Sequence, residues 1–209
     1  NGTSWTERVN GGGAPLQRFS HAMAYDSTLG QTVLFGGISG GSTWFYPPVD
    51  TWVWGGAGWT LKSPAISPTA RVGHAMAYDA KHKQVILFAG GLSTYENDTW
   101  AWDGAAWTQL HPTSNPPPRM SHAMAYDSIR GEIVLFGGAD STGQFLGDTW
   151  VWDGVTWTQK SPAHSPSARC YHSMAYDSAR GQVVLFGGAD FRGDTWVWDG
   201  TDWTEKHPN

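Results

Sequence analysis

A small set of residues returns four times along this chain at nearly constant spacing, and that recurrence constrains the fold more than any single residue does. The histidines His21, His74, His122 and His172 lie 53, 48 and 50 residues apart. Phe35, Phe88, Phe136 and Phe186 keep the same three intervals, and Asp-Thr-Trp triplets begin at Asp50, Asp98, Asp148 and Asp194. A period near 50 residues marks a repeat architecture, in which one supersecondary unit is copied and neighbouring copies bury one another's faces.

Each copy parses into four short strands. In the third copy these are His122 to Tyr126, Ile133 to Phe136, Thr149 to Trp152 and a segment beginning at Thr156. Valine, threonine and aromatic residues favour extended backbone, while Asp153-Gly154 and Gly137-Gly138 punctuate it. No stretch has the period or length of a helix. A lone four-stranded antiparallel sheet cannot bury its faces, so successive sheets must stack. The strong twist of small antiparallel sheets favours radial stacking, a β-propeller.

The pattern resembles the kelch repeat, in the bacterial type related to the central domain of galactose oxidase. The marks are a double glycine after an apolar strand, then an aromatic strand, then a further tryptophan. Here they are Gly36-Gly37, Gly90-Gly91, Gly137-Gly138 and Gly187-Gly188, with Trp52/Trp59, Trp102/Trp107, Trp152/Trp157 and Trp198/Trp203. The expected fold is all-β: a propeller of four-stranded antiparallel blades, with four repeats at about 10–62, 63–110, 111–160 and 161–206. Residues 1–9 match the end of a repeat and read as one surplus outer strand. With it, three assemblies stand open: a closed four-bladed ring, two chains joined as eight blades, or part of a larger array.

Strand order decides which loops share a face. Loops from strand four to strand one and from strand two to strand three emerge together. The second kind varies: twelve residues separate Gly37 from Asp50, but six, nine and five separate the corresponding pairs. Variable loops on a rigid scaffold are where recognition is expected. The longest carries Trp44, Phe45 and Tyr46 with two prolines, and Tyr95, Phe145 and Phe191 occupy the equivalent loops. These aromatics are candidates to anchor a protein or to stack on sugar rings.

The recurrent polar residues are weighed the same way. Arg18, Arg71, Arg119 and Arg169 each stand three residues before the repeat histidine. Near the axis they would attract a carboxylate or an acidic peptide, a use that the kelch resemblance also implies. Against this, a residue present in every copy fits a structural role. The four histidines, one per blade, are too dispersed to converge on zinc. The aspartates Asp26, Asp79, Asp127 and Asp177, and with them Asp50, Asp98, Asp148 and Asp194, read as turn residues whose carboxylates cap local amides. Calcium on loop oxygens is the one ion this leaves open, and no other cofactor is expected. The galactose oxidase copper site requires a cross-linked Cys-Tyr pair, which the adjacent Cys170 and Tyr171 cannot supply.

Thirteen basic against 18 acidic residues give a net charge of −5, without the cationic footprint of a nucleic-acid binder. No apolar run is long enough for a membrane helix. Few lysines with many Trp, Thr, Ser and Gly suit a secreted or cell-surface module. The expectation is therefore a non-catalytic binding scaffold. Its partner would be a protein or a second copy of itself, with carbohydrate as the alternative.

Overall fold

The computed structural model of the chain describes residues 13–40, 45–46 and 48–207, and among them every regular element is a β-strand. The proposed outer strand at residues 1–9 and Trp44 lie outside the described residues. β1 (Arg18–Phe19) leads into blade 1, whose strands are β2 (Ala22–Asp26) and β3 (Gln31–Phe35). After the inserted pair β4 (Ile38–Gly40) and β5 (Phe45–Tyr46), that blade continues with β6 (Thr51–Trp54) and β7 (Trp59–Lys62). Blade 2 holds β8 (Ala75–Asp79), β9 (Gln84–Gly91), β10 (Tyr95–Trp102) and β11 (Trp107–Leu110). Blade 3 holds β12 (Ala123–Asp127), β13 (Glu132–Ala139), β14 (Phe145–Trp152) and β15 (Trp157–Lys160). Blade 4 holds β16 (Ser173–Asp177), β17 (Gln182–Phe186), β18 (Thr195–Trp198) and β19 (Trp203–Lys206). Each blade is an antiparallel meander in chain order, and the four are arranged as a β-propeller with first strands facing one another.

The alternation of side chains along each strand gives every blade two different faces. In blade 3, Met124, Ile133, Leu135, Trp150, Trp152 and Trp157 pack against Ala75, Ala77, Ile86, Phe88 and Ala101 of blade 2. The intervening residues Ala125, Val134, Phe136 and Val151 face the other way, onto Val183, Leu185, Trp198 and Trp203 of blade 4. One face is thus bulky and rich in tryptophan, the other flatter, with Phe as its largest residue. A one-residue slip in any strand would exchange them, so the apolar pattern fixes the register.

Polar contacts repeat at each junction. The strand-four tryptophan donates its Nε1–H to the threonine of the preceding blade: Trp107 to Thr51, Trp157 to Thr99 and Trp203 to Thr149, at 2.9, 3.0 and 2.9 Å. The repeat histidine sets its ring against the edge or face of the preceding phenylalanine, with centroids 5.8, 5.7 and 5.6 Å apart for His74, His122 and His172. Backbone bonds add Gly37, Gly90 and Gly138 N–H donating to the carbonyls of Arg71, Arg119 and Arg169 at 3.0, 3.0 and 2.9 Å. Along the inner rim, Gly73 N–H donates to Ser20 O, Ser121 N–H to Gly73 O, and Tyr171 N–H to Ser121 O.

The glycine mark of blade 2 is shifted from the sequence assignment. Ala89, with φ 56°, takes the place of Gly36, Gly137 and Gly187, while Gly90 takes the second place and Gly91 lies in β9. Both glycines of blade 3 are crowded: a Cβ at Gly137, where φ is 62°, would meet Arg169 O at 2.6 Å. At Gly138, φ is 107°, and a Cβ there would meet Met120 O at 2.8 Å. Gly138→Ala is therefore expected to cost about 2 kcal/mol or more in urea unfolding, from backbone strain and overpacking. Gly137→Ala should cost a similar amount, since its Cβ would press on a backbone carbonyl of blade 4 as well as hold a left-handed conformation. A cost near zero at either position would contradict this close packing of backbone on backbone.

Candidate functional site

The recurrent arginines come first, because their geometry explains both their repetition and that of the aspartates. Arg119 donates through Nη1 to Asp148 Oδ1 and through Nη2 to Asp148 Oδ2, both at 2.7 Å, through Nη1 to Gly137 O, and through Nε to Pro117 O. Arg71 with Asp98 and Arg169 with Asp194 form the same fork. Arg18 with Asp50 forms it in blade 1. Arg71, Arg119 and Arg169 have no exposed surface. Within each blade the arginine thus ties the segment before strand one to the start of strand three.

The partner aspartates correct the sequence reading. Asp98 and Asp148 lie inside β10 and β14, and Asp50, Asp98, Asp148 and Asp194 also accept the indole N–H of Trp52, Trp100, Trp150 and Trp196. They are the acceptors of a buried fork, not caps of turn amides. Burial alone would raise the Asp148 pKa, but the hydrogen bonds and charge of Arg119 hold it below the ordinary carboxylate value. The Arg169 hydrogen bonds bring Asp194 down to about 2. The signal was present in the sequence, since Arg and Asp recur together in all four copies.

The other aspartate set does cap turns. Asp127 Oδ1 accepts from Ile129 and Arg130 N–H, and Asp26, Asp79 and Asp177 repeat the pattern. Histidines 74, 122 and 172 are buried in the blade junctions. Among the described residues no three His, Cys, Asp or Glu side chains are grouped so as to hold a metal.

The variable loops divide into two kinds. In blades 2 and 3 they are not irregular: the central hairpins run on past the blade body, pairing Gly91 with Tyr95 and Ala139 with Phe145 across a register shift. Val72 and Met120, just before strand one, bridge to these extensions at Gly91 and Ala139. In blade 1 the insertion does likewise as a separate small sheet, Ser39 pairing with both Arg18 and Tyr46, and Gly40 with Phe45. The backbone holds Phe45 and Tyr46 beside the rim in this way. Blade 4 keeps a short turn here, with Phe191 at its tip.

This placement exposes apolar residues on one side of the propeller. Phe145 is over a third exposed and Phe191 is fully exposed; Leu92, in another strand two-to-three connection, and Tyr171, in a strand four-to-one connection, are exposed as well. Tyr95 is half-buried. Thr142, Gly143, Gln144 and Phe145, with Ala168, line an open concavity of about 440 Å³. Sequence reasoning offered neither Tyr171 nor Leu92 as a contact residue. Tyr171 holds a φ of 58° at the position occupied by Ser20, Gly73 and Ser121 in the other blades, a departure visible only after aligning the copies.

A family model described as the KLHDC2/KLHL20/DRC7 Kelch-repeats domain matches residues 103–209, just over half of the chain. No curated protein matches it.

Proposed function

Because the chain belongs to the kelch-repeat family, we propose that it is a non-catalytic protein-binding scaffold that takes its partner on the face carrying the strand two-to-three hairpins. The observation that carries this reading is the pair of hairpin extensions in blades 2 and 3, with Phe145 of blade 3 and Phe191 of blade 4 left open to solvent. Exposed aromatics suit an interface, because they bury large areas with little loss of conformational entropy. The arginines, bonded within their own blades, contribute by holding strand three in place beneath those hairpins.

The test compares proteins captured from the source organism's extract by the wild-type chain, by Phe145→Ser/Phe191→Ser, and by Val155→Ser. Val155 is exposed in the strand three-to-four turn, on the opposite face. The double variant is expected to lose roughly tenfold or more of the bound partner, as for loss of an interface anchor. Val155→Ser should bind as the wild type does. Equal capture by all three would refute the loop-face reading.

A further inference from the structure

Three apolar cores fill the junctions of blades 1 and 2, 2 and 3, and 3 and 4. Among the described residues no such core joins blade 4 to blade 1, and the two faces that would form it are open. On blade 4, Phe186 is 56% exposed, whereas Phe35, Phe88 and Phe136 are at 0%. Thr195, the counterpart of the threonines that accept an indole N–H elsewhere, is half-buried, and among the described residues no indole donates to it. On blade 1, Tyr25 is 59% exposed against 8% for Tyr78, and Met23 and His21 are exposed where their counterparts in blades 2 and 3 are buried. Trp59 is half-buried, while Trp107, Trp157 and Trp203 are buried.

These open faces are the two halves of one joint. Blade 1 offers the donor side: Trp59 Nε1–H, the His21 ring and Ser20 N–H, with Met23 and Tyr25 as apolar bulk. Blade 4 offers the receiving side: Thr195 Oγ1, the Phe186 ring and the Tyr171 carbonyl. Each group has a counterpart that is bonded or packed in the three formed junctions. Two blade 1 faces placed together would oppose donor to donor, so a symmetric face-to-itself contact leaves the pattern unsatisfied.

We propose that a second copy of this chain seats its blade 1 on blade 4 of the first, reproducing the internal blade junction between molecules. The contact is heterologous, and two copies joined at both ends would form an eight-bladed ring. This surface is separate from the hairpin face, and the two readings stand or fall apart.

Sedimentation velocity on the full chain, from micromolar to near-millimolar concentration, tests it. The wild type is expected to pass from one-chain to two-chain or longer species. Phe186→Asp, which alters only the receiving face, and Met23→Asp, which alters only the donor face, should each weaken association at least tenfold. Mixed in equal amounts, they should form a two-chain species, since each supplies the face the other lacks. Both substituted residues are exposed, so unchanged thermal melting is expected; Thr195→Lys and Trp59→Phe repeat the test should either variant melt early. A wild type that stays single-chain throughout, or a mixture that associates no better than its components, would overturn the proposal. Phe145→Ser/Phe191→Ser should associate as the wild type does.

Discussion

Asp148→Ala is expected to lower the unfolding free energy by about 3–5 kcal/mol, because it leaves the guanidinium of Arg119 buried without its counter-charge. Arg119 has no contact with solvent through which to recover hydration, and Asp148 supplies both oxygens of its fork. The same change also removes the acceptor of the Trp150 indole N–H, 2.6 Å away. Arg119→Lys should cost less but remain damaging, since an ammonium keeps the charge and loses the planar fork. Replacing both partners, as in Arg119→Leu/Asp148→Leu, should be milder than either single truncation, because no lone charge is left behind. Urea unfolding of the four proteins gives this cycle directly. Single truncations that cost under about 1 kcal/mol, as surface pairs do, would show the fork to be dispensable and return the arginines to the list of groups free for a ligand.

The second large effect is acid destabilisation well above the carboxylate range. Burial, reinforced by the charge of Arg71, depresses the His74 pKa from 6.5 to about 3. Burial and Arg169 bring His172 to about 4, and burial with Arg119 depresses His122 as well. Below pH 6.5 the unfolded chain takes up protons that the folded chain does not. Stability is therefore fully present above that pH and falls as the pH drops toward the folded values. Each neutral buried histidine contributes a slope of about 1.4 kcal/mol per pH unit. The Arg–Asp forks have the same sign but act later: Asp194 contributes above 3.8 and loses its contribution as the pH falls through about 2. Between pH 6.5 and about 5 the histidines dominate; lower down, Glu132, whose pKa burial raises, opposes them. Unfolding free energy measured in urea should drop steeply across that upper interval, and His122→Leu should remove about one histidine's share of the slope. A flat profile between pH 7 and 5 would contradict the burial of these rings in solution.

How much of this was legible beforehand follows from the nature of each signal. Period, strand content and blade number are carried by residues that recur, such as His122, Phe136 and Trp157, and copies read against one another separate framework from variation. Paired roles were harder. Arg119 and Asp148 lie 29 residues apart, and only the antiparallel register of β13 and β14 brings the Asp beneath the arginine that precedes strand one. The left-handed backbone of Ala89 was hidden because the sequence offered a nearer glycine pair at Gly90-Gly91. Hairpin extension in blades 2 and 3 was hidden too, since Gly and polar residues between Gly138 and Asp148 read locally as a loop, whereas cross-strand pairing to Phe145 decides otherwise.

The repeating unit is written in the order of residues: four short strands whose alternating side chains give a tryptophan-rich face and a flatter one, repeated four times. That follows from local physics, because a strand's side chains must alternate and a small sheet with two apolar faces must be covered on both. Which residues remain uncovered was a matter for tertiary structure alone. Phe186 and Phe136 are the same residue in the same local context, yet one is exposed and the other buried, because among the described residues a blade lies against only one of them.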